Sequence, residues 1–97
     1  MQVRHANRWT ERLEFDFEYA GGLGTDAVKA FRRRMQFIRA AIDDRVFYSM
    51  KSLHYEKLKG KRSHQRSMRL NDQLRLILEI DESPPRTAVI VGVEDYH

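Results

Sequence analysis

Arg69 and Arg75 are the residues of this 97-residue chain whose type and spacing point most directly to chemistry. They lie on either side of residues 71–73 (Asn-Asp-Gln), a turn motif between two segments of alternating apolar residues. If the apolar side chains of both segments face one core, the loop must contain an odd number of residues, and three is the natural number. Met68 then pairs with Leu76, and Arg69 falls opposite Arg75 on the other face of the sheet.

Two arginines directly opposite each other repel, so a sheet built only for stability would avoid the pair. A bound phosphate removes this repulsion, because each guanidinium can hold the anion with its fork of N–H donors. The alternative is that Arg69 and Arg75 splay apart, or pair with Glu79. We favour the phosphate interpretation, since proteins use arginine so heavily for phosphate recognition.

A second group of chemically capable residues is the acid, phenol and imidazole of Asp95, Tyr96 and His97, which follow an apolar strand-like segment. An imidazole titrates near pH 6.5 in its unperturbed state and is suited to moving a proton at neutral pH. In a regular strand, however, Asp95 and His97 would face one way and Tyr96 the other. All three reach one phosphate only if the strand bends or leaves its ladder after Val93.

The charge distribution supports an anionic partner. The formal net charge is +4, yet residues 51–69 alone hold seven basic residues and one acid, a local net charge of +6. The rest of the chain is therefore net acidic, and the positive field is confined to one segment. Such a segment suits RNA, DNA or an acidic protein, although a basic surface without a specific partner has the same composition.

Composition also excludes several classes of site. The chain has no cysteine, which removes disulfides, cysteine-based zinc sites and thiol nucleophiles. The four histidines have no metal-ligand spacing, so we assign no metal and no cofactor. No signal-like segment opens the chain and no apolar run reaches the roughly 18–20 residues of a membrane span. We therefore expect a soluble, cytoplasmic protein that does not contact a membrane.

The elements that must position these residues form one domain, residues 1–97. Residues 1–5 suggest a strand. Residues 7–17 have apolar residues at both helical and strand-like spacing, and we prefer a helix that ends near Phe15. Residues 26–43 are a helix by the spacing of their apolar stripe, which consists of Val28, Phe31, Met35, Ile38 and Ile42. The charged run Arg32, Arg33 and Arg34 is interpreted as the solvated face of that helix.

The second half of the chain is strand-like. Alternation and turn signals predict strands over residues 65–70, 74–80 and 87–93, with a shorter one near 55–58. Residues 46–50 are expected to seal one end of the core. The whole pattern predicts an α+β fold, in which two N-terminal helices pack on a twisted, mainly antiparallel sheet of about four to five strands.

Three stretches taken together resemble a known family. They are "LHYEKLKGKR" (residues 53–62), "SMRLNDQLRLILEI" (residues 67–80) and "EDYH" (residues 94–97). Their order, L-K-G, then S-x-R-x-N-D-Q-x-R, then a final D-Y-H, resembles the HigB-type branch of the RelE/ParE toxin superfamily. "VKAFRRRMQFIRAA" (residues 28–41) is similar to the helix that precedes these motifs in that family.

The resemblance implies a toxin of a bacterial type II toxin–antitoxin pair. Such toxins cut mRNA on the ribosome without a metal and so inhibit translation. A HigA-like helix-turn-helix antitoxin neutralises the toxin, and operator DNA is bound only through the complex of the two proteins.

The resemblance also assigns site residues. It implies catalytic roles for Lys59, Arg69, Arg75, Asp95, Tyr96 and His97, without settling which of them is the acid and which the base. From the basic segment we expect RNA contacts by Lys57, Lys61, Arg62 and Arg66. Some relatives have a histidine just before L-K-G, where this chain has Glu56 and Lys57. The nearby His54 either serves from a neighbouring position or is a strand residue, and we prefer the second interpretation.

Other functions stay open at this point. A ParE-like toxin would inhibit DNA gyrase by binding, without cleavage, and would have no need of a proton-transfer group such as His97. The basic segment alone would also satisfy a non-catalytic module that binds RNA or the ribosome. An inactive toxin that keeps the motifs is a further alternative.

Overall fold

Alternating apolar residues in the second half of the chain build the sheet on which the rest of the molecule packs. The structure is a computed structural model and describes residues 1–95. Its strands are β1 (Gln2–His5), β2 (Glu56–Lys57), β3 (Gln65–Arg69), β4 (Leu74–Asp81) and β5 (Thr87–Asp95). Its helices are α1 (Arg8–Phe15), α2 (Thr25–Ala40) and α3 (Arg45–Ser49), and short 3₁₀ helices cover Lys51–Leu53 and Gly60–Arg62.

The five strands form one sheet in the order β1-β5-β4-β3-β2. Strand β1 is parallel to β5, and every other neighbouring pair is antiparallel. This arrangement confirms the predicted α+β fold, with α1 and α2 packed on a mainly antiparallel sheet. None of the helices in the described residues is long and apolar enough to cross a membrane.

The core lies between the helices and one face of the sheet. Fully buried side chains come from α1 and α2 (Leu13, Phe31, Met35 and Ile38) and from the strands (Met68, Leu76, Leu78 and Ile90). Each buried side chain of this size contributes about 1.5–3 kcal/mol relative to an exposed one. Because a strand alternates, this burial directs Ser67, Arg69, Arg75 and Ile77 to the opposite face, which we call the outer face.

Helix α1 is held at both ends by side chains. The Asn7 side chain accepts a hydrogen bond from the Thr10 backbone N–H at 2.9 Å, as an N-cap does. At the other end Arg32 of α2 donates to the carbonyl oxygens of Leu13, Asp16, Phe17 and Tyr19 at 3.0–3.3 Å. The interpretation of the arginine run as a solvated face is therefore wrong for Arg32, which ties α2 to the end of α1.

Helix α2 is shorter than predicted. It ends at Ala40 because Ala41 adopts an extended conformation, so Ile42 leaves the apolar stripe and is 88% exposed. Helix α3 was not predicted. Of the residues expected to seal the core, only Phe47 is buried, whereas Val46, Tyr48 and Met50 are exposed because a short helix presents one face to the core.

The β3–β4 hairpin has the predicted geometry. Its loop contains three residues, and the Leu70 N–H donates to the Leu74 carbonyl at 2.9 Å. The Asn71 side chain accepts from the backbone N–H groups of Gln73 and Leu74 at 2.8 and 2.7 Å, which fixes the turn. Arg69 and Arg75 are register partners, as the parity argument requires.

Strand β5 contains a bulge that the sequence analysis did not foresee. Ile77 pairs with Gly92, but the next residue of β4, Leu78, pairs with Ile90, so Val91 has no partner on β4. The extra residue reverses the alternation of β5. Beyond the bulge, Val93 packs against the core and Glu94 lies opposite Arg75.

Candidate functional site

The outer face brings together the two arginines singled out in the sequence. Arg75 is only 9% exposed, and its guanidinium donates to the His54 carbonyl at 3.3 Å and lies 3.8 Å from the Glu56 carboxylate. Arg69 donates to the Asn71 carbonyl at 3.2 Å and pairs with the Asp72 carboxylate. The Asp72 side chain is almost fully exposed, so its pairing with Arg69 contributes little and is readily exchanged for a ligand.

Two cavities adjoin Arg75. The first, of about 230 Å³, is lined by His54, Arg69, Asn71, Asp72 and Arg75. The second, of about 240 Å³, is lined by Glu56, Leu58, Arg62, Ser67, Arg75, Ile77, Glu94 and Asp95. Each is several times the roughly 30 Å³ of one liquid water and has room for a phosphate group. Arg75 lines both cavities and can therefore contact a ligand that extends from one to the other.

His54 lines the first cavity, although the sequence analysis preferred to place it in a strand. Its backbone is left-handed (φ 47°, ψ 46°), at the end of the 3₁₀ helix Lys51–Leu53. Histidine tolerates this conformation better than most residues, and strained backbone of this kind is concentrated at functional sites. The strand interpretation is wrong, and His54 instead lines the first cavity with both arginines.

Glu94 is a second residue of this face that the sequence analysis left without a role. It accepts two hydrogen bonds from the Arg62 guanidinium, at 2.6 and 2.9 Å. Its hydrogen bonding raises the pKa of Arg62. Arg62 also donates to the Gln65 side chain at 2.9 Å. Glu94 thus places a negative charge opposite Arg75 and keeps Arg62 occupied.

The predicted RNA-binding residues do not all lie on one face. Arg62 lines the second cavity, beside Arg75. Lys57 and Arg66 are register partners, and Arg66 in turn lies opposite Leu78, a core residue. Alternation therefore directs both Lys57 and Arg66 toward the helical side of the sheet.

The remaining predicted residues of the basic segment lie in the loop between β2 and β3. Lys59 and Lys61 are exposed, on either side of Gly60, whose φ of 66° suits glycine. Neither lysine lines the two cavities. Both are positioned to contact a polyanion that extends beyond the cavities, rather than a group held inside them.

Of the three C-terminal residues predicted to be catalytic, Asp95, Tyr96 and His97, the structure describes only Asp95. Strand β5 stays in its ladder through Asp95, which pairs with Leu74, so the expected loss of pairing after Val93 is not seen up to that residue. Asp95 lines the second cavity, although Glu94 is the residue opposite Arg75. Tyr96 and His97 lie outside the described residues.

A network of charged side chains holds the helical layer together on the other side of the sheet. His5 of β1 lies 2.8 Å from the Glu14 carboxylate, which also accepts from Arg39 of α2 at 2.7 and 2.8 Å. Burial opposes ionisation of Glu14, but the hydrogen bonds from Arg39 and His5 outweigh it and lower the pKa of this carboxyl. Within residues 1–95, no group of three or more histidine, aspartate or glutamate side chains is placed to hold a metal ion.

Comparison with solved structures finds the same fold in two proteins of very different sequence. The YoeB/ParE toxin from Agrobacterium tumefaciens superposes with a TM-score of 0.65 at 13% identity, over 100% of both chains. The conserved hypothetical protein HP0894 from Helicobacter pylori superposes with a TM-score of 0.55 at 11% identity, over 99% of this chain and 94% of that one. No family model and no curated protein sequence matches this chain. The chain therefore has a RelE/ParE-like toxin fold.

Proposed function

We propose that this protein is the toxin of a type II toxin–antitoxin system and acts as a ribosome-dependent mRNA endonuclease without a metal. The observation that carries the proposal is the pairing of Arg69 with Arg75, beside a cavity that both arginines line. The motifs that resemble HigB-type toxins and the fold shared with the YoeB/ParE toxin support it.

Metal-free RNA cleavage uses the ribose 2′-OH as the nucleophile. A bond forms between the 2′-oxygen and phosphorus, and the bond from phosphorus to the 5′-oxygen breaks, which leaves a 2′,3′-cyclic phosphate. The 2′-OH loses a proton to a base, and the 5′-oxygen gains one from an acid. Arg69 and Arg75 would stabilise the charge that develops on the phosphorane oxygens.

Two protons must move, and two of the four histidines of the chain, His54 and His97, are the candidates for moving them. His54 lines the cavity with the arginines, and His97 matches the final residue of the D-Y-H motif. We propose that these two imidazoles carry out the proton transfers. The resemblance adds Lys59, Asp95 and Tyr96 as groups that assist by charge or hydrogen bonding.

RNA would extend from the cavities along the basic loop. Arg62, Lys59 and Lys61 are the residues proposed to contact its backbone. Lys57 and Arg66 are directed to the other side of the sheet, so we propose that they have no part in holding the scissile phosphate. In the cell, a HigA-like antitoxin would neutralise the protein, and operator DNA would be bound only by that complex.

The proposal is tested by incubating the purified protein with programmed ribosomes and, separately, with naked mRNA, and by mapping cuts through primer extension. Cuts that require the ribosome are the expected result. If the protein makes no cuts but causes gyrase-dependent DNA damage, the ParE-like alternative replaces this proposal. Binding to ribosomes without any cut would identify a non-catalytic module.

A further inference from the structure

The second cavity beside Arg75, of about 240 Å³, has the wrong charge for a phosphate. Among the described residues, its charged lining consists of two guanidiniums and three carboxylates, those of Arg62, Arg75, Glu56, Glu94 and Asp95. The first cavity has two arginines and a single carboxylate among the described residues. The two cavities therefore suit different parts of one ligand, with an anion in the first and a group with N–H donors in the second.

The second cavity also has an apolar surface. Glu56, Ser67 and Ile77 are successive register partners on β2, β3 and β4, and all three line the cavity. Leu58 lines it as well, so that two apolar side chains lie next to the carboxylates. A nucleobase combines an apolar face with hydrogen-bonding groups along its edge, and the cavity offers a partner for each. A lysine or arginine of another protein would match the carboxylates, but Arg62 and Arg75 would repel it.

Ser67 is the most unusual residue of this cavity. It is only 1% exposed, and its hydroxyl oxygen has no hydrogen-bond partner within residues 1–95. A buried hydroxyl without a partner destabilises a fold, and it is therefore rare unless it serves another purpose. Because Ser67 lines the cavity, its hydroxyl is available to donate to a ligand held there or to accept from it.

Glu56 can select one base among the four. Its carboxylate lies 3.8 Å from the Arg75 guanidinium, too far for a hydrogen bond, so both of its oxygens can still accept from a ligand. Only guanine presents two adjacent N–H donors, N1–H and N2–H, which one carboxylate accepts together. Adenine, cytosine and uracil each have an acceptor next to their donor, and a carboxylate repels it. The guanine O6 lies beside N1 and can accept from the hydroxyl of Ser67, the register partner of Glu56.

We propose that the second cavity binds a guanine base next to the scissile phosphate, with Glu56 accepting from N1–H and N2–H and Ser67 donating to O6. Arg75 lines both cavities and so contacts the phosphate that adjoins this base. The inference rests on the proposed function, since it takes the ligand to be the RNA substrate. It makes Glu56 and Ser67 specificity-determining residues, through which the protein itself favours cuts beside guanine.

The test measures binding of the nucleoside 3′,5′-bisphosphates of the four bases by titration calorimetry, without ribosomes. Each probe has a phosphate on both sides of its base, so the direction of the RNA does not have to be known. The guanosine probe should bind at least about tenfold more tightly than each of the other three.

Three variants assign this preference to residues. Glu56→Gln should reduce it to less than about threefold, because the amide turns a donor toward one of the guanine N–H groups. Ser67→Ala should weaken binding of the guanosine probe about fivefold to tenfold. It should not lower the melting temperature, since the hydroxyl has no partner within residues 1–95. Glu82→Gln, which removes the same charge outside both cavities, should leave the preference unchanged.

Three results would overturn the proposal. The first is equal binding of the four probes, or no binding of any. The second is an equal effect of Glu56→Gln and Glu82→Gln on the preference. The third is a lower melting temperature of Ser67→Ala, because the hydroxyl would then belong to the fold. If the guanosine probe binds as expected but ribosome-bound mRNA is not cut, only the proposed nuclease fails, whereas cutting without guanine binding would overturn only this inference.

Discussion

Arg69 and Arg75 face each other across the β3–β4 hairpin, on the side of the sheet that the helices leave uncovered. Each guanidinium has contacts already in place: Arg75 with the His54 carbonyl and the Glu56 carboxylate, and Arg69 with the Asn71 carbonyl and Asp72. These two carboxylates offset part of the repulsion between the guanidiniums, and both are more than half exposed to solvent. A phosphate that binds beside the two arginines would replace these carboxylates, which explains why the sheet keeps two arginines in register.

Replacing Arg75 with lysine should lower the cleavage rate by about 10²–10³-fold, because lysine keeps the charge but not the fork of N–H donors. The measurement is single-turnover cleavage on programmed ribosomes, with thermal melting as a check of the fold. Arg8→Lys is the matched control, since Arg8 is exposed at the start of α1. Equal losses in the two variants would mean that the fork of donors at Arg75 has no specific role in cleavage.

Replacing His54 with asparagine should lower cleavage by about 10²–10⁴-fold, because the imidazole is lost as a proton-transfer group. Asparagine tolerates the left-handed backbone and keeps the carbonyl that accepts from Arg75, so the melting temperature should hardly change. If the His54→Asn variant keeps full activity, the imidazole takes no part in cleavage, and His54 contributes only its backbone carbonyl, which positions Arg75.

Replacing Glu94 with glutamine should strengthen RNA binding, because Arg62 loses its carboxylate partner and becomes available to a phosphate. With single-stranded RNA that lacks the reactive 2′-OH, a plot of log affinity against log salt should steepen by about 0.7. Glu82→Gln removes the same charge from an exposed loop residue and is the control. If both variants bind RNA equally, net charge and not Arg62 is responsible.

Replacing Arg32 with alanine should lower the free energy of unfolding by about 2 kcal/mol, because partly buried carbonyl groups at the end of α1 lose their charged donor. Urea denaturation measures this value. Arg33→Ala, on the exposed side of the same helix, should change it by less than about 0.5 kcal/mol. Similar values for the two variants would show that Arg32 does not hold the end of α1.

Replacing Glu14 with glutamine should lower the free energy of unfolding by about 1–2 kcal/mol at neutral pH, because the contact with His5 and the partly exposed ion pair with Arg39 lose the carboxylate charge. Since the pKa of Glu14 is lowered in the folded state, its contribution is fully present above the ordinary pKa of 4.5. It is lost as the pH falls through the folded-state pKa.

The difference in unfolding free energy between wild type and Glu14→Gln should therefore shrink below about pH 4.5. Glu11→Gln, on the exposed face of α1, should show little difference at any pH. A Glu14→Gln difference that persists undiminished at pH 3 would mean that ionisation of Glu14 is not the source of the stability.

The hairpin shows what alternation can predict. The requirement that Met68, Leu70, Leu74 and Leu76 share one face was enough to place Arg69 opposite Arg75. The ambiguous segment before Phe17 forms a helix, and Leu13 of that helix packs into the core. Phe15 and Phe17, which also fit the strand-like alternation, are exposed to solvent. The alternation of residue types could not distinguish these cases, since the sequence does not show whether an apolar residue is buried or exposed.

The features that the sequence analysis missed depend on local backbone conformation, which the residue types indicate only weakly. The bulge at Val91 moves Glu94 to the face of Arg75. Gly92 in the same apolar run indicates a break in the regular strand, but it does not indicate which residue is left unpaired. The left-handed backbone of His54 is likewise set by the end of a 3₁₀ helix. Lys57 and Arg66 were grouped by sequence with Arg69, although alternation separates them.

The most direct test of the central claim is cleavage of a ribosome-bound mRNA in which one nucleotide at the cut site has a 2′-deoxyribose. The protein is expected to cut the all-ribose mRNA and leave a 2′,3′-cyclic phosphate at that position, and to leave the substituted mRNA intact. Cleavage of both mRNAs at the same rate, or of neither by a folded protein, would contradict an endonuclease that holds the scissile phosphate between Arg69 and Arg75.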